Sequence, residues 1–176
     1  MNLPSVERYL NSFGKQVVNR AKGNLQKAKG GGTALENSIN FSVIKKSGTL
    51  TVRFKMAAYG QFLDKGVSGT AKKISYKNRD GKVKPSPFKY TTKAPPIDII
   101  SKWIKKKGIK GHGVKRGRST NTGQFVSGLA YLISKKIKRE GIKSLSFFQK
   151  PLMLGMKQFT SKFGKAIAED ILNNIK

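Results

Sequence analysis

The sequence predicts an α+β fold: a long N-terminal helix, a small antiparallel sheet, then three helices ending in an amphipathic C-terminal one. Three observations predict it. Apolar residues recur at steps of three and four before the glycines at 30–32, they alternate with polar residues at a period of two directly afterwards, and the longer period returns after Pro95.

Val6, Leu10, Phe13, Val17, Ala21, Leu25 and Ala28 lie on one stripe of a helix over about 4–28, with Pro4 suited to its first turn. Gly30, Gly31 and Gly32 let the backbone leave that helix. Ile39, Phe41 and Val43, then Leu50, Val52, Phe54 and Met56, predict strands over 38–44 and 49–56. Lys45-Lys46-Ser47-Gly48 joins them as an antiparallel hairpin with one buried face. Residues 57–66 read as a helical turn or two ending at Gly66. From 67 to 96 no period is sustained, although long unstructured connections are uncommon in compact domains. Asn78-Arg79-Asp80-Gly81 has the composition of a hairpin tip, so a long two-stranded arm over about 70–90 is the alternative to coil.

Pro95-Pro96 opens a helix whose Ile97, Ile100, Trp103 and Ile104 share a face. Asp98 suits its positive end, and Lys105, Lys106 and Lys107 its negative end. Gly108 stops it, with Ile109 placed to pair with Ile104. The next helix, about 124–140, turns Phe125, Leu129, Leu132, Ile133 and Ile137 inward, is capped by Gly141 and returns Ile142 onto Ile137. The basic, glycine-rich stretch 110–124 between them is expected to be mobile in the free chain. Residues 144–148 form a short alternating piece. Pro151 begins the last helix, with Met156, Phe159, Phe163, Ile167, Ile171 and Ile175 on one stripe. No linker divides the chain, so 1–176 reads as a single domain with basic extended loops at about 67–95 and 110–124.

Length and composition narrow the function. At 176 residues and 37% hydrophobic content the chain can bury a core, and its net charge of +29 favours acidic partners. No stretch approaches the roughly 18 apolar residues of a membrane span, and the opening Met1-Asn2-Leu3-Pro4-Ser5-Val6-Glu7 lacks the layout of a secretory signal. The expectation is a soluble protein made in the cytoplasm, with no membrane partner.

Catalytic chemistry has little to draw on. With no cysteine, disulfides, thiolate catalysis and cysteine-based metal sites are excluded. The single histidine, His112, sits in Gly111-His112-Gly113 and reads as a solvated loop residue rather than a positioned base. The acids are Glu7, Glu36, Asp64, Asp80, Asp98, Glu140, Glu169 and Asp170; only the last two are neighbours, and adjacent helical residues do not face each other. Gly30-Gly31-Gly32-Thr33 lacks the lysine of a phosphate loop, and the glycine spacing after Gly111 does not match a dinucleotide fingerprint. The expectation is no catalytic, cofactor or metal site and no small-molecule substrate.

The charge is concentrated. Between Lys65 and Arg118 there are 17 Lys and Arg against two acids, a net of +15 in 54 residues, with Tyr76, Phe88 and Tyr90 interspersed. Such a segment suits docking to an acidic protein surface or gripping a phosphate backbone; simple solvation is the bland alternative. The residues expected to contact a partner are Lys72, Lys73, Lys77, Arg79, Lys82 and Lys84 in the first loop and Lys110, Lys115, Arg116 and Arg118 in the second. Tyr59, Phe62 and Trp103 read as core or subunit-contact residues.

The element order and three local motifs resemble the tail-completion or neck proteins of tailed bacteriophages, the small head–tail connector subunits. The motifs are Tyr59-Gly60-Gln61-Phe62-Leu63-Asp64-Lys65-Gly66, a tyrosine-containing turn leading to an acid and a glycine; Phe147-Phe148-Gln149-Lys150-Pro151-Leu152, an aromatic–proline segment before the final helix; and the helix and cap from Leu129 to Lys143. The extended loop at 67–95 and the insertion at 110–124 depart from shorter relatives. The resemblance implies a structural virion protein without enzymatic activity. It would form a homo-oligomeric ring around the DNA channel, with portal, neck or tail proteins as neighbours, the channel DNA as a further partner, and Tyr59, Phe62, Asp64 and Gly66 as the motif turn. A different class of function is a non-enzymatic nucleic-acid-binding protein using the basic 65–118 segment; a nuclease is a remote third.

Overall fold

The computed structural model describes residues 3–107, 109, 116–118 and 125–175, with the side chains of 116–118 and 125–127 outside that description. In chain order the elements are α1 (Pro4–Lys29), α2 (Ala34–Ser38), β1 (Asn40–Lys46), β2 (Thr49–Lys55), α3 (Gly60–Lys65), β3 (Val67–Ser68), β4 (Ser75–Lys77), β5 (Val83–Pro85), α4 (Ile97–Lys107), β6 (Arg116–Arg118), β7 (Phe125–Ser127), α5 (Gly128–Glu140), β8 (Gly141–Ile142) and α6 (Gln149–Ile175). The architecture is the α+β class predicted, with the long first helix, the antiparallel hairpin and the C-terminal helix in their expected places. Contacts gather the chain into two compact units: Met1–Asp64 with Tyr76–Lys84 and Leu145–Lys176, and Lys65–Ser75 with Pro85–Ser144.

The first unit is built on α1 and α6. Asn24 donates to the Phe147 carbonyl near one end, and Ser5 meets Asp170 near the other, so the two helices run antiparallel. The stripe of α1 is buried at Val6, Leu10, Phe13, Val17, Ala21 and Leu25, while Ala28, predicted on the same stripe, is exposed in the last turn. Phe13, Val17, Leu25, Leu35, Ile39, Phe147 and Phe148 share one core cluster; Val6, Leu10 and Ala166 form a second. Aromatic rings join the layers: Phe13 and Phe159 meet edge to face at 5.0 Å, as do Phe54 and Phe148 at 5.3 Å.

In the hairpin, Phe41 lies opposite Phe54 and Val43 opposite Val52, so one face of the sheet covers α1 and α6. The strands extend to Lys46 and Thr49, leaving a turn of Ser47 and Gly48 with φ of 47° and 76°. The expected four-residue connector is thus a two-residue turn, whose paired positive φ values match the twist of the flanking strands. Helix α2 was not anticipated: Thr33 accepts from the Glu36 N–H and the Glu36 carboxylate accepts from Gly32, a variant of the capping box.

Part of the 67–96 region expected to be coil is paired. β4 and β5 form a two-stranded arm, shorter than the 70–90 alternative. Its turn is organised by Asn78, whose side-chain oxygen accepts from the Asp80 and Lys82 N–H groups, while its own N–H donates to the Lys82 carbonyl.

In the second unit, Ile100 and Ile104 of α4 pack against Ala130 of α5, flanked by Ile97, Leu129, Ile133 and Ile137. The helix predicted from 124 begins at Gly128, because Phe125–Ser127 forms a strand paired with Arg116–Arg118. Two side chains assigned inward are exposed: Trp103 at 46% and Leu132 at 53%. Both sit at the edge of their apolar stripe, and the narrow α4–α5 contact, centred on Ala130, covers only its middle. The Ile109 N–H bonds to the Ile104 carbonyl at 3.1 Å, consistent with the expected glycine-type helix end, although Gly108 itself lies outside the described residues.

Ile142 lies in β8. It pairs with Val67 across the β3–β8 ladder, because Gly141, at φ 79°, turns the chain toward that strand. Residues 144–148 form no strand; Leu145 and Ser146 donate backbone bonds to Leu63 and Asp64. Helix α6 starts two residues before Pro151, which occupies its first turn, and its stripe is half-buried at Phe159, Phe163 and Ile167 but exposed at Met156, Ile171 and Ile175.

Candidate functional site

The eight acids are distributed in a way that shapes the whole surface. Glu36, Asp64 and Asp170 are buried. Each serves as an acceptor for backbone donors, which is how a carboxylate tolerates removal from water. Asp170 accepts from the first-turn N–H groups of Ser5 and Val6 in α1, both at 2.9 Å. Asp64 accepts from Phe148 at 2.8 Å and Gln149 at 3.2 Å, at the start of α6. The two longest helices are therefore each capped by a carboxylate distant in sequence, placed where the helix dipole favours negative charge.

Burial pushes the Asp170 pKa up, but the backbone donors of Val6 and Ser5, with the Ser5 hydroxyl and the nearby Arg8 charge, pull it down further, so the carboxyl lies below its ordinary value. A depressed folded-state pKa contributes stability that is complete above the ordinary carboxyl range and is lost as pH falls through the folded value. Asp170→Asn is therefore expected to lower stability at neutral pH and to flatten the acid side of the stability profile, read from thermal melts between about pH 7 and about pH 2.

Three other acids sit beside cations at the surface: Glu7 with Lys45 at 3.6 Å, Asp80 with Arg79 at 3.6 Å and Glu140 with Arg139 at 3.0 Å. With six of the eight acids held inside or beside a surface cation, the +29 excess is expressed on the exterior. The basic residues expected to meet a partner are exposed wherever they are described: Lys72 and Lys73 before β4, and Lys77, Arg79, Lys82 and Lys84 on the arm. They do not form one loop. Lys77, Arg79, Lys82 and Lys84 belong to the first unit, where Arg79 borders an open apolar groove floored by Leu10, Phe13, Val52 and Phe159, whereas Lys72 and Lys73 belong to the second. Lys110, Lys115 and His112 lie outside the described residues; Arg116 and Arg118 have described backbone in β6 only.

The motif turn acts structurally. Asp64 caps α6, and Gly66, at φ 74°, sits where an added Cβ would lie 2.7 Å from the Ile142 carbonyl oxygen and from Ile74. Tyr59 and Phe62, read as core or contact residues, are exposed at 47% and 43%, so the core reading does not hold.

A basic surface not anticipated from the sequence lies on α5. Lys135, Lys136, Lys138 and Arg139, with Leu132 and Thr70, line an open groove of about 560 Å³. The spacing of Leu132, Lys135, Lys136 and Arg139, one helical face away from Ala130, Ser134 and Ile137, carried that signal. It was obscured by assigning Leu132 to the core.

Among the described residues, no group of three or more His, Cys, Asp or Glu is arranged to hold a metal ion, and no helix is long and apolar enough to cross a membrane. No family model matches the chain, and neither a curated protein nor a solved structure matches it at a significant level.

Proposed function

We propose that this chain is a structural ring subunit of a tailed-phage neck or tail, joining the portal side to the tail around the DNA channel. One observation carries the reading. The two motifs most characteristic of the resemblance, Tyr59 to Gly66 and Phe147 to Leu152, are separated by some eighty residues of chain yet meet through the Asp64 bonds to Phe148 and Gln149. The motifs thus function as one joint, which positions the final helix on the first.

The surface supports assembly. The two-stranded β1–β2 sheet has an outer edge on each side, and such an edge is a template for a neighbour's strand. Ile171, Leu172 and Ile175 near the end of α6 are exposed and apolar, suited to burial between copies. Like-charged subunits repel, so acidic neighbouring proteins or DNA must offset the +29 of each copy. The role is structural rather than enzymatic, in the virion after synthesis in the host cytoplasm. Electron microscopy of purified particles should find this chain in a ring at the head–tail junction or in the tail; particles carrying it nowhere in that axis would overturn the proposal.

A further inference from the structure

We propose that the groove along α5 is a binding site for the phosphate backbone of duplex DNA, formed by Lys135, Lys136, Lys138 and Arg139 over Leu132 and Thr70. The inference goes beyond the ring reading and does not depend on it, since a free chain would carry the same groove.

Charge is the first argument. Lys135, Lys136 and Arg139 are exposed, and Glu140 pairs with Arg139 at 3.0 Å. The hydrogen bond from Arg139 holds Glu140 below the ordinary carboxyl range, assisted by the charges of Lys136 and Lys72, which places Lys72 in the same cationic neighbourhood. Four cations therefore line the groove, one of them paired with Glu140.

The helix end is the second. Unpaired carbonyls at a helix C-terminus carry partial negative charge that would repel a phosphate. Here the carbonyls of Lys138 and Arg139 accept from the backbone N–H groups of Thr70 and Ala71, both at 2.9 Å. The loop that forms one wall of the groove thus also quenches the repulsive end of the helix. Lys138 is anchored separately, its ammonium donating to the Thr92 carbonyl at 2.7 Å, and braces the wall.

Spacing and side-chain chemistry suit a phosphodiester backbone. Lys135 and Arg139 are one turn apart, roughly 6 Å along the helix axis, a separation at which two cations can reach successive phosphates of one strand. Three of the four groove cations are lysines, which bind phosphate as point charges on flexible stems and so follow a backbone without demanding one planar geometry, while the one arginine is paired with Glu140. The lysine stems and Leu132 give the groove an apolar floor with no base-reading groups, so binding should be independent of sequence.

The test measures binding of the full chain to a random-sequence DNA duplex over a range of salt concentrations. Lys135→Gln/Lys136→Gln is compared with Lys15→Gln/Lys55→Gln, which removes the same charge from exposed positions elsewhere. The groove variant should bind about ten-fold more weakly than the control and lower the log–log salt slope by about 2. Thr70→Glu, which leaves the helix untouched, should weaken binding in the same direction and provides the readout if the double variant misfolds. Equal losses in the two double variants, or no binding by the unmodified chain, would overturn the site. Polyglutamate binding as tight as the duplex at matched salt would reassign the groove to an acidic protein. Failure of this test leaves particle location unaffected, and absence from the particle axis leaves DNA binding unaffected, so the two proposals fail separately.

Discussion

Asp64→Ala should destabilise the protein by about 3 kcal/mol, measured as a shift in the denaturant midpoint at unchanged slope. The side chain is 2% exposed and its Oδ1 accepts two backbone N–H groups at the start of α6. Loss of a neutral helix cap costs about 1 kcal/mol, and a charged acceptor serving one buried and one half-buried donor is worth roughly twice to three times that. Water cannot easily replace it, since Phe147 and Phe148 are buried beside it. Asp64→Asn keeps an acceptor of the same shape without the charge and should lose about half as much. An Asp64→Ala protein melting with the wild type would show that the joint between the two motifs carries no weight.

Gly141→Ala should be of similar or greater effect, about 4 kcal/mol, for a different reason. At φ 79° an alanine carries the left-handed penalty of about 1–2 kcal/mol. Its Cβ would also collide with the Val67 carbonyl oxygen and lie 2.6 Å from the Gly69 nitrogen. Both obstacles are backbone atoms, one in β3 and one in the residue that follows it, so relief requires opening the β3–β8 ladder rather than rotating a side chain. Gly23→Ala is the matched reference: an added Cβ there meets nothing within 4 Å, and the residue is in the interior of α1. That substitution should stabilise by about 0.5–1 kcal/mol, because alanine suits a helix better than glycine. Opposite signs in a pair of thermal melts are the expected result; a neutral Gly141→Ala would remove the steric account of the turn.

Much of the fold was legible because burial imposes a period. The stripe from Val6 to Leu25, the alternation through Phe41 and Val52 and the return of the longer period after Pro95 each specify a face, and the faces are buried along most of their length. The failures cluster where the period says nothing about extent. Ala28, Trp103, Leu132 and Ile175 satisfy a helical stripe but lie beyond the surface that a neighbouring element covers. The strand at Phe125–Ser127 was hidden by an apolar spacing that also suits a helix, and pairing with Arg116–Arg118 determines the outcome.

The candidate sites divide along the same line. Exposure of the arm lysines followed from composition, since a dense run of like charge cannot be buried. The groove on α5 did not, because Leu132 fits the apolar stripe of that helix and the Thr70 wall is distant in sequence.

Local order, the α+β class, the positive surface and the poverty of catalytic groups follow from the chain read in one dimension, since propensity, periodicity and charge are properties of neighbouring residues. The roles of the individual acids do not. Asp64 and Asp170 look like ordinary surface carboxylates in sequence, and become helix caps only because folding brings them to backbone donors 84 and 165 positions away. Hydrogen bonds act over about 3 Å, so which donor a carboxylate meets is set by packing in three dimensions and leaves no periodic trace along the chain.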